Sequence, residues 1–139
     1  MRSRKFYVML LVVILVLLLV GCGSPAQGNL PEGNPGDTVK AFYDWYLGDL
    51  SGPPKDARES GFLNPELVQR IDEMMESPVP IDQVSFVCAQ DFPNSVEVVS
   101  SEIKGDTAEV LVRTSFGGNV RLIMRVDQGE WRIHDVKCE

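Results

Sequence analysis

The chain has 139 residues, a formal net charge of −7, one histidine and three cysteines. An acidic protein repels nucleic-acid phosphates and lacks the Lys and Arg clusters that adsorb to anionic lipid, which argues against nucleic acid or a charged bilayer surface as partner. About 100 ordered residues suit one domain with a single core and leave no room for a second catalytic domain.

Residues 1–22 are organised as an export signal. Arg2, Arg4 and Lys5 precede an apolar run over residues 6–20, which ends in Leu19-Val20-Gly21-Cys22. A charged start, an apolar run of about 15 residues and a small residue before the break are the parts of a secretory signal. The tail resembles the bacterial lipobox, which implies that residues 1–21 are removed and that Cys22 is lipidated. The competing reading, a spanning anchor, needs about 20 apolar residues. Losing residues 1–21 takes away the three cations and moves the formal charge from −7 to −10. The expected location is the cell envelope, facing the periplasm or the exterior. The lipid bilayer is then a partner through Cys22 alone.

Lipidation of Cys22 leaves Cys88 and Cys138 as an even pair in an oxidising compartment, where disulfides persist. A Cys88–Cys138 bridge is expected, with two free buried thiols as the alternative. One histidine and two distant cysteines do not make a tetrahedral zinc set, so no metal site is expected.

Residues 22–36 read as the lipidated cysteine and a flexible tether. Gly23, Gly28, Gly33 and Gly36 alternate with Pro25, Pro31 and Pro35, and Leu30 is the only large apolar residue. Such a segment buries too little surface to offset its ordering entropy. The folded domain is expected over residues 37–139. Asp37 or Thr38 is placed to cap a first helix. Val39, Phe42, Tyr43, Tyr46 and Leu47 form its apolar stripe, Trp45 widens it, and Gly48 stops it. Residues 49–62, with Gly52, Pro53 and Pro54, read as loop with at most one helical turn. Asn64-Pro65-Glu66 opens a second helix, whose apolar face is Leu67, Val68, Ile71, Met74 and Met75. Residues 81–93 read as an ordered loop crossing the domain and pinned by Cys88.

From residue 96 the period changes to two. Four strands are predicted over residues 96–103, 107–116, 120–126 and 131–136, separated by hairpin turns at 104–106, 117–119 and 127–129. Ala108, Val110, Val112, Val120, Leu122, Met124, Val126, Trp131 and Ile133 point inward. Glu109, Arg113, Arg121, Arg125, Arg132 and His134 point outward. Short turns imply an antiparallel meander with one wet face, and the two helices cover the other. The fold class is therefore α+β, N-terminal helices on a four-stranded antiparallel sheet.

Val39-Lys40-Ala41-Phe42-Tyr43-Asp44-Trp45-Tyr46-Leu47 resembles the opening helix of domain-of-unknown-function family 3828, found in small bacterial envelope lipoproteins. Cys88-Ala89-Gln90-Asp91-Phe92-Pro93 and the ending Gly129-Glu130-Trp131-Arg132-Ile133-His134-Asp135-Val136-Lys137-Cys138 are similar to that family's later part. Residues 78–86 depart from it. The resemblance implies a cystatin-like, nuclear-transport-factor-2-like fold and implies no activity. A fold of this kind hosts enzymes and binders alike.

Catalytic sets are thin. His134 is the only histidine, and on a strand it alternates away from Trp131 and Ile133. Asp44 among the helix-one aromatics is placed to reach a pocket mouth, against a solvated position opposite the stripe, and Gln90-Asp91 after Cys88 reads as a polar clasp for loop backbone. No Gly-rich phosphate loop, metal motif or nucleophile elbow is present, and no cofactor is expected. A non-enzymatic envelope module that binds another envelope protein or a cell-wall component through a sheet face or strand edge is the leading expectation. The alternative is a small-ligand binder with an aromatic pocket of Phe42, Trp45, Tyr46, Met124 and Trp131 between helix and sheet. An isomerase or dehydratase rests on analogy of fold alone.

Overall fold

A computed structural model describes residues 32–48, 55–77 and 85–139. The export signal, Cys22 and most of the tether lie outside the described residues. No helix among the described residues is long and apolar enough to cross a membrane.

The first helix, α1 (Pro35–Leu47), begins two residues before the expected domain boundary. Its cap is Asn34, whose side-chain oxygen accepts from the Gly36 N–H at 2.8 Å. Pro35 fills the first helical position, where its missing N–H costs nothing. Asp37 and Thr38 are therefore not the cap, and ordered structure is present before residue 37: Glu32 is paired to the sheet, and Pro35 and Gly36 are buried. The helix start at Gly36 lies against β1. A Cβ there would meet Asn34 Oδ1 at 3.2 Å and Ser101 Cβ and Val98 Cγ1 at 3.5 Å.

A single 3-10 turn follows at Ala57–Glu59, then α2 (Pro65–Glu76). Asn64 caps α2 as expected, accepting from Glu66 N–H at 2.9 Å. The strands are β1 (Val96–Lys104), β2 (Thr107–Thr114), β3 (Asn119–Asp127) and β4 (Glu130–Cys138), paired antiparallel in the order β1-β2-β3-β4. Gln128 and Gly129 turn β3 into β4 with φ of 52° and 85°, the left-handed pair that a two-residue hairpin demands. β2 stops at Thr114, so Phe116 sits in a turn rather than in the strand.

The inward set is the expected one except that Val126 is only partly buried. Ala108, Val110, Val112, Val120, Leu122, Met124, Trp131 and Ile133 are buried, against Val39, Phe42 and Tyr43 of α1 and Leu63, Leu67, Phe86 and Val87. The helices contribute unequally. α1 packs on β1, β2 and β4, whereas α2 meets the sheet chiefly at β4. Of its expected apolar face only Leu67 is fully buried, and Met75 is 66% exposed.

Both margins of the sheet carry a bulge. Val98 faces Val112 and Ser100 faces Leu111, leaving Val99 unpaired on β1. Met124 faces Ile133 and Ile123 faces Asp135, leaving His134 unpaired on β4. The second bulge shifts the parity of everything after it. Val136 pairs with buried Leu122 and Cys138 with buried Val120, so Cys138 takes an inward register. There it is bonded to Cys88, with the two Cα atoms 5.4 Å apart, inside the usual range for a disulfide.

Candidate interaction surface

The aromatic residues of α1 do not frame a ligand cavity with the sheet. Phe42 stacks on Tyr46 with ring centres 5.3 Å apart and lies 5.1 Å from both Tyr43 and Phe86. Phe42 and Met124 are fully buried and fill the space between α1 and the strands. Trp45 is half-exposed, with Lys55 Nζ 5.1 Å from its ring centre. Tyr46 opens on one cleft and Trp131 on another, so the five expected pocket residues are not brought together.

The cleft at Tyr46 has a volume of about 300 Å³ and is walled by Phe86, Ile71, Met74 and Met75. Its rim is fixed by ion pairs. Arg58 binds Asp56 beside it and Asp72 of α2 at 2.7 Å. The Arg58 hydrogen bonds hold the Asp56 carboxyl below its ordinary range. Beneath the rim, Tyr43 donates its hydroxyl to Phe86 O at 2.5 Å. Burial first, and then neighbouring Tyr46, push the Tyr43 phenol up.

The three groups examined for catalysis do not converge. Asp44 is exposed and paired with Lys40 at 2.6 Å. Asp91 is exposed on the loop after Cys88. His134, expected to face water, is instead turned by its bulge toward α2. Its Nδ1 is 3.5 Å from Glu66 Oε2, which is shared with Arg125 at 3.5 Å. Among the described residues no three His, Cys, Asp or Glu groups gather as a metal site would require.

On the face away from α1, ion pairs cross the strands. Arg121 reaches Glu109 at 2.8 Å and Glu139 at 2.6 Å, and Lys104 reaches Glu109 at 3.3 Å. The other outward charges do not extend this set: Arg125 turns to Glu66, and Glu97 and Arg113, though register partners, make no ion pair. Exposed pairs of this kind contribute little.

The two edges of the sheet differ. β4 is covered at two points by parallel bridges, Glu32 to Glu130 and Leu63 to Ile133. Three hydrogen bonds close it: Glu32 N–H to Gly129 O at 3.3 Å, Asn64 N–H to Ile133 O at 2.8 Å and Ile133 N–H to Phe62 O at 2.8 Å. β1 has no such cover among the described residues. Three of the large apolar residues that remain exposed lie on it or beside it: Val99 (41%), Ile103 (54%) and Phe116 (58%). Phe116 belongs to the same end of the sheet as the start of β1, because Ser115 N–H bonds Ser95 O at 3.0 Å. A long edge strand with exposed apolar side chains is a template for a further strand.

No protein-family model matches the chain, and no curated protein matches it. Two solved structures are similar to it. Each is a chain of the type VI effector-immunity complex Tae3-Tai3 from Ralstonia pickettii, in native and selenomethionine crystals. The TM-scores are 0.61 and 0.58, both at 18% identity, with 76% of this chain covered in each and 94% and 96% of the other. At that identity the likeness establishes the fold.

Proposed function

We propose that this domain is a non-enzymatic binding module of the cell envelope, and that it pairs the open edge of β1 with an extended segment of another envelope protein. The single observation behind this reading is the asymmetry of the edges: among the described residues β4 is covered, while β1 is open and carries or adjoins exposed Val99, Ile103 and Phe116. Main-chain hydrogen bonds supply affinity in such strand addition, and alternate side chains supply specificity. The acidity of the chain, −7 overall, disfavours a second copy and favours a partner segment carrying Lys or Arg. The fold likeness to chains of a two-protein complex is in keeping with a role in protein binding.

The same proposal makes residues 1–21 a removed signal and Cys22 a lipid anchor, in line with the resemblance to family 3828. Cys22→Ala is expected to abolish fatty-acid labelling, and labelling that persists defeats the anchor. For the binding edge, a photo-crosslinker at Glu102 in intact cells should trap a discrete adduct. Val99→Lys with Ile103→Lys should lower its yield at least about tenfold, since each tenfold is only about 1.4 kcal/mol. An adduct indifferent to those changes, or none under any growth condition, refutes the edge. A second reading, small-ligand binding, is supported by the cleft of about 300 Å³ at Tyr46. It predicts that Met74→Ala alters ligand binding while the β1 changes do not.

A further inference from the structure

The open edge of β1 is not a uniform template, and the ladders of the sheet fix which groups it offers. Val126 N–H bonds Asp106 O at 2.9 Å, extending the β2–β3 ladder by one residue. Backbone groups alternate sides along an antiparallel strand, so Ala108, Val110 and Val112 turn theirs to β3. Thr107, Glu109, Leu111 and Arg113 turn theirs to β1, where they meet Lys104, Glu102, Ser100 and Glu97. The Ser115 N–H bond to Ser95 O has the same phase. Val96, Val98, Ser101 and Ile103 are left with N–H and C=O pointing away from the sheet.

These four residues share a face. They stand opposite Thr114, Val112, Val110 and Ala108, all buried, so their side chains lie on the side that α1 covers. Glu97 and Glu102 lie on the other side and are exposed. Glu97 has no ion pair among the described residues, and Glu102 has Lys104 at 3.4 Å.

The bulge sets the spacing. Val96 and Val98 are two positions apart, as are Ser101 and Ile103, but Val98 and Ser101 are three apart. A regularly alternating segment in phase with one half of β1 presents the wrong side to the other half. A segment that itself steps by three in the middle matches both halves. A second copy of β1 has that step. However, the antiparallel register that pairs Val96 with Ile103 and Val98 with Ser101 sets Glu97 against Glu102 at both ends, where like charges repel.

Resting on the reading that β1 accepts a strand, we propose that the partner segment has the pattern apolar-basic-apolar, two residues of any kind, then apolar-basic-apolar. Its apolar residues pair with Ile103, Ser101, Val98 and Val96 and cover Ile103, which is 54% exposed. Its basic residues stand beside Glu102 and Glu97 on the outer face.

The test is fluorescence anisotropy of fluorescein-labelled peptides titrated with the full-length chain in detergent. Val-Lys-Val-Ser-Ser-Val-Lys-Val amide should bind saturably. Glutamate in place of both lysines should weaken binding about tenfold. N-methylation of the valines, which removes the pairing N–H groups, should abolish it. A Val-Lys repeat of the same length carries four lysines, so adhesion by charge alone would favour it; it should bind about tenfold more weakly. Glu97→Gln with Glu102→Gln, at exposed positions, should erase the preference for lysine over glutamate. The pattern is overturned if the repeat binds as well as the stepped peptide, if the lysine, glutamate and N-methyl peptides bind alike, or if none binds. Where the crosslinker at Glu102 still traps an adduct that Val99→Lys with Ile103→Lys removes, the edge stands and only the pattern falls. Where no adduct forms either, both fall.

Discussion

Breaking the disulfide gives the clearest test of what holds this fold. The bridge joins residues 50 positions apart and encloses all four strands, β4 ending at Cys138 itself. In the chain-entropy treatment, a loop of that size restricts the unfolded chain by about 4 kcal/mol. Native packing should survive the loss, because each side of the bridge is held independently. Phe86 and Val87 are buried and Tyr43 bonds Phe86 O, while β4 is laddered to β3 as far as Cys138. Cys138 is exposed and Cys88 half-buried, so serine at both positions removes little packing. The expected change is therefore about 4 kcal/mol, a large share of the 5–15 kcal/mol typical of a domain. For a domain near 100 residues it lowers Tm by roughly 15–30 °C. Urea titration followed by tryptophan fluorescence should give the same loss for Cys88→Ser with Cys138→Ser as for wild type under reductant. The slope should steepen slightly as the denatured chain expands. A loss below about 1 kcal/mol would falsify the loop-entropy account.

Tyr43→Phe leaves the buried Phe86 carbonyl unpaired and should cost about 1–3 kcal/mol. The folded phenol holds its proton above the ordinary value, so wild-type stability is complete below about pH 10 and falls as pH rises further. Urea midpoints at pH 8 and pH 11 should show that fall in wild type and a smaller one in Tyr43→Phe. Met124→Ala, at a fully buried site, should cost about 2–5 kcal/mol, and Met75→Ala less than about 0.5 kcal/mol; equal losses by calorimetry would contradict the inward assignment. Asn64→Ala removes the α2 cap and should cost about 0.5–2 kcal/mol by the same measurement.

Strands and inward faces were legible because period-two alternation and the Gly-containing turns agree with each other. The second helix was legible from Asn64-Pro65-Glu66. The first begins with the same pair, Asn34-Pro35, yet that pair lies in a Gly- and Pro-rich stretch whose composition reads as tether. Local capping chemistry outweighed composition there. The aromatic pocket failed for a different reason. A ring on an apolar helix stripe can line a space or fill it, and only packing decides: Phe42 and Met124 fill it. The β1 edge was not legible because being an edge is a property of strand order.

The bulge at His134 shows how one residue escapes a periodic reading and then organises its surroundings. An inserted residue leaves its backbone groups outside the ladder. Here the orphan carbonyl of His134 accepts from Arg70 Nη2 of α2 at 2.7 Å, the same guanidinium reaches Asp135 at 3.3 Å, and Glu66 stands 3.5 Å from the imidazole. The irregularity in β4 is thus a seat for α2. Deleting His134 makes β4 alternate without interruption and keeps Val136 and Cys138 on the inward face. The fold and the Cys88–Cys138 bridge should therefore survive. The loss should be at most about 3 kcal/mol, the upper end for hydrogen bonds to a charged group. Amide exchange should quicken in α2 while β2 and β3 stay protected. A deletion variant that cannot form the disulfide, or whose α2 amides exchange as slowly as before, contradicts this role for the bulge.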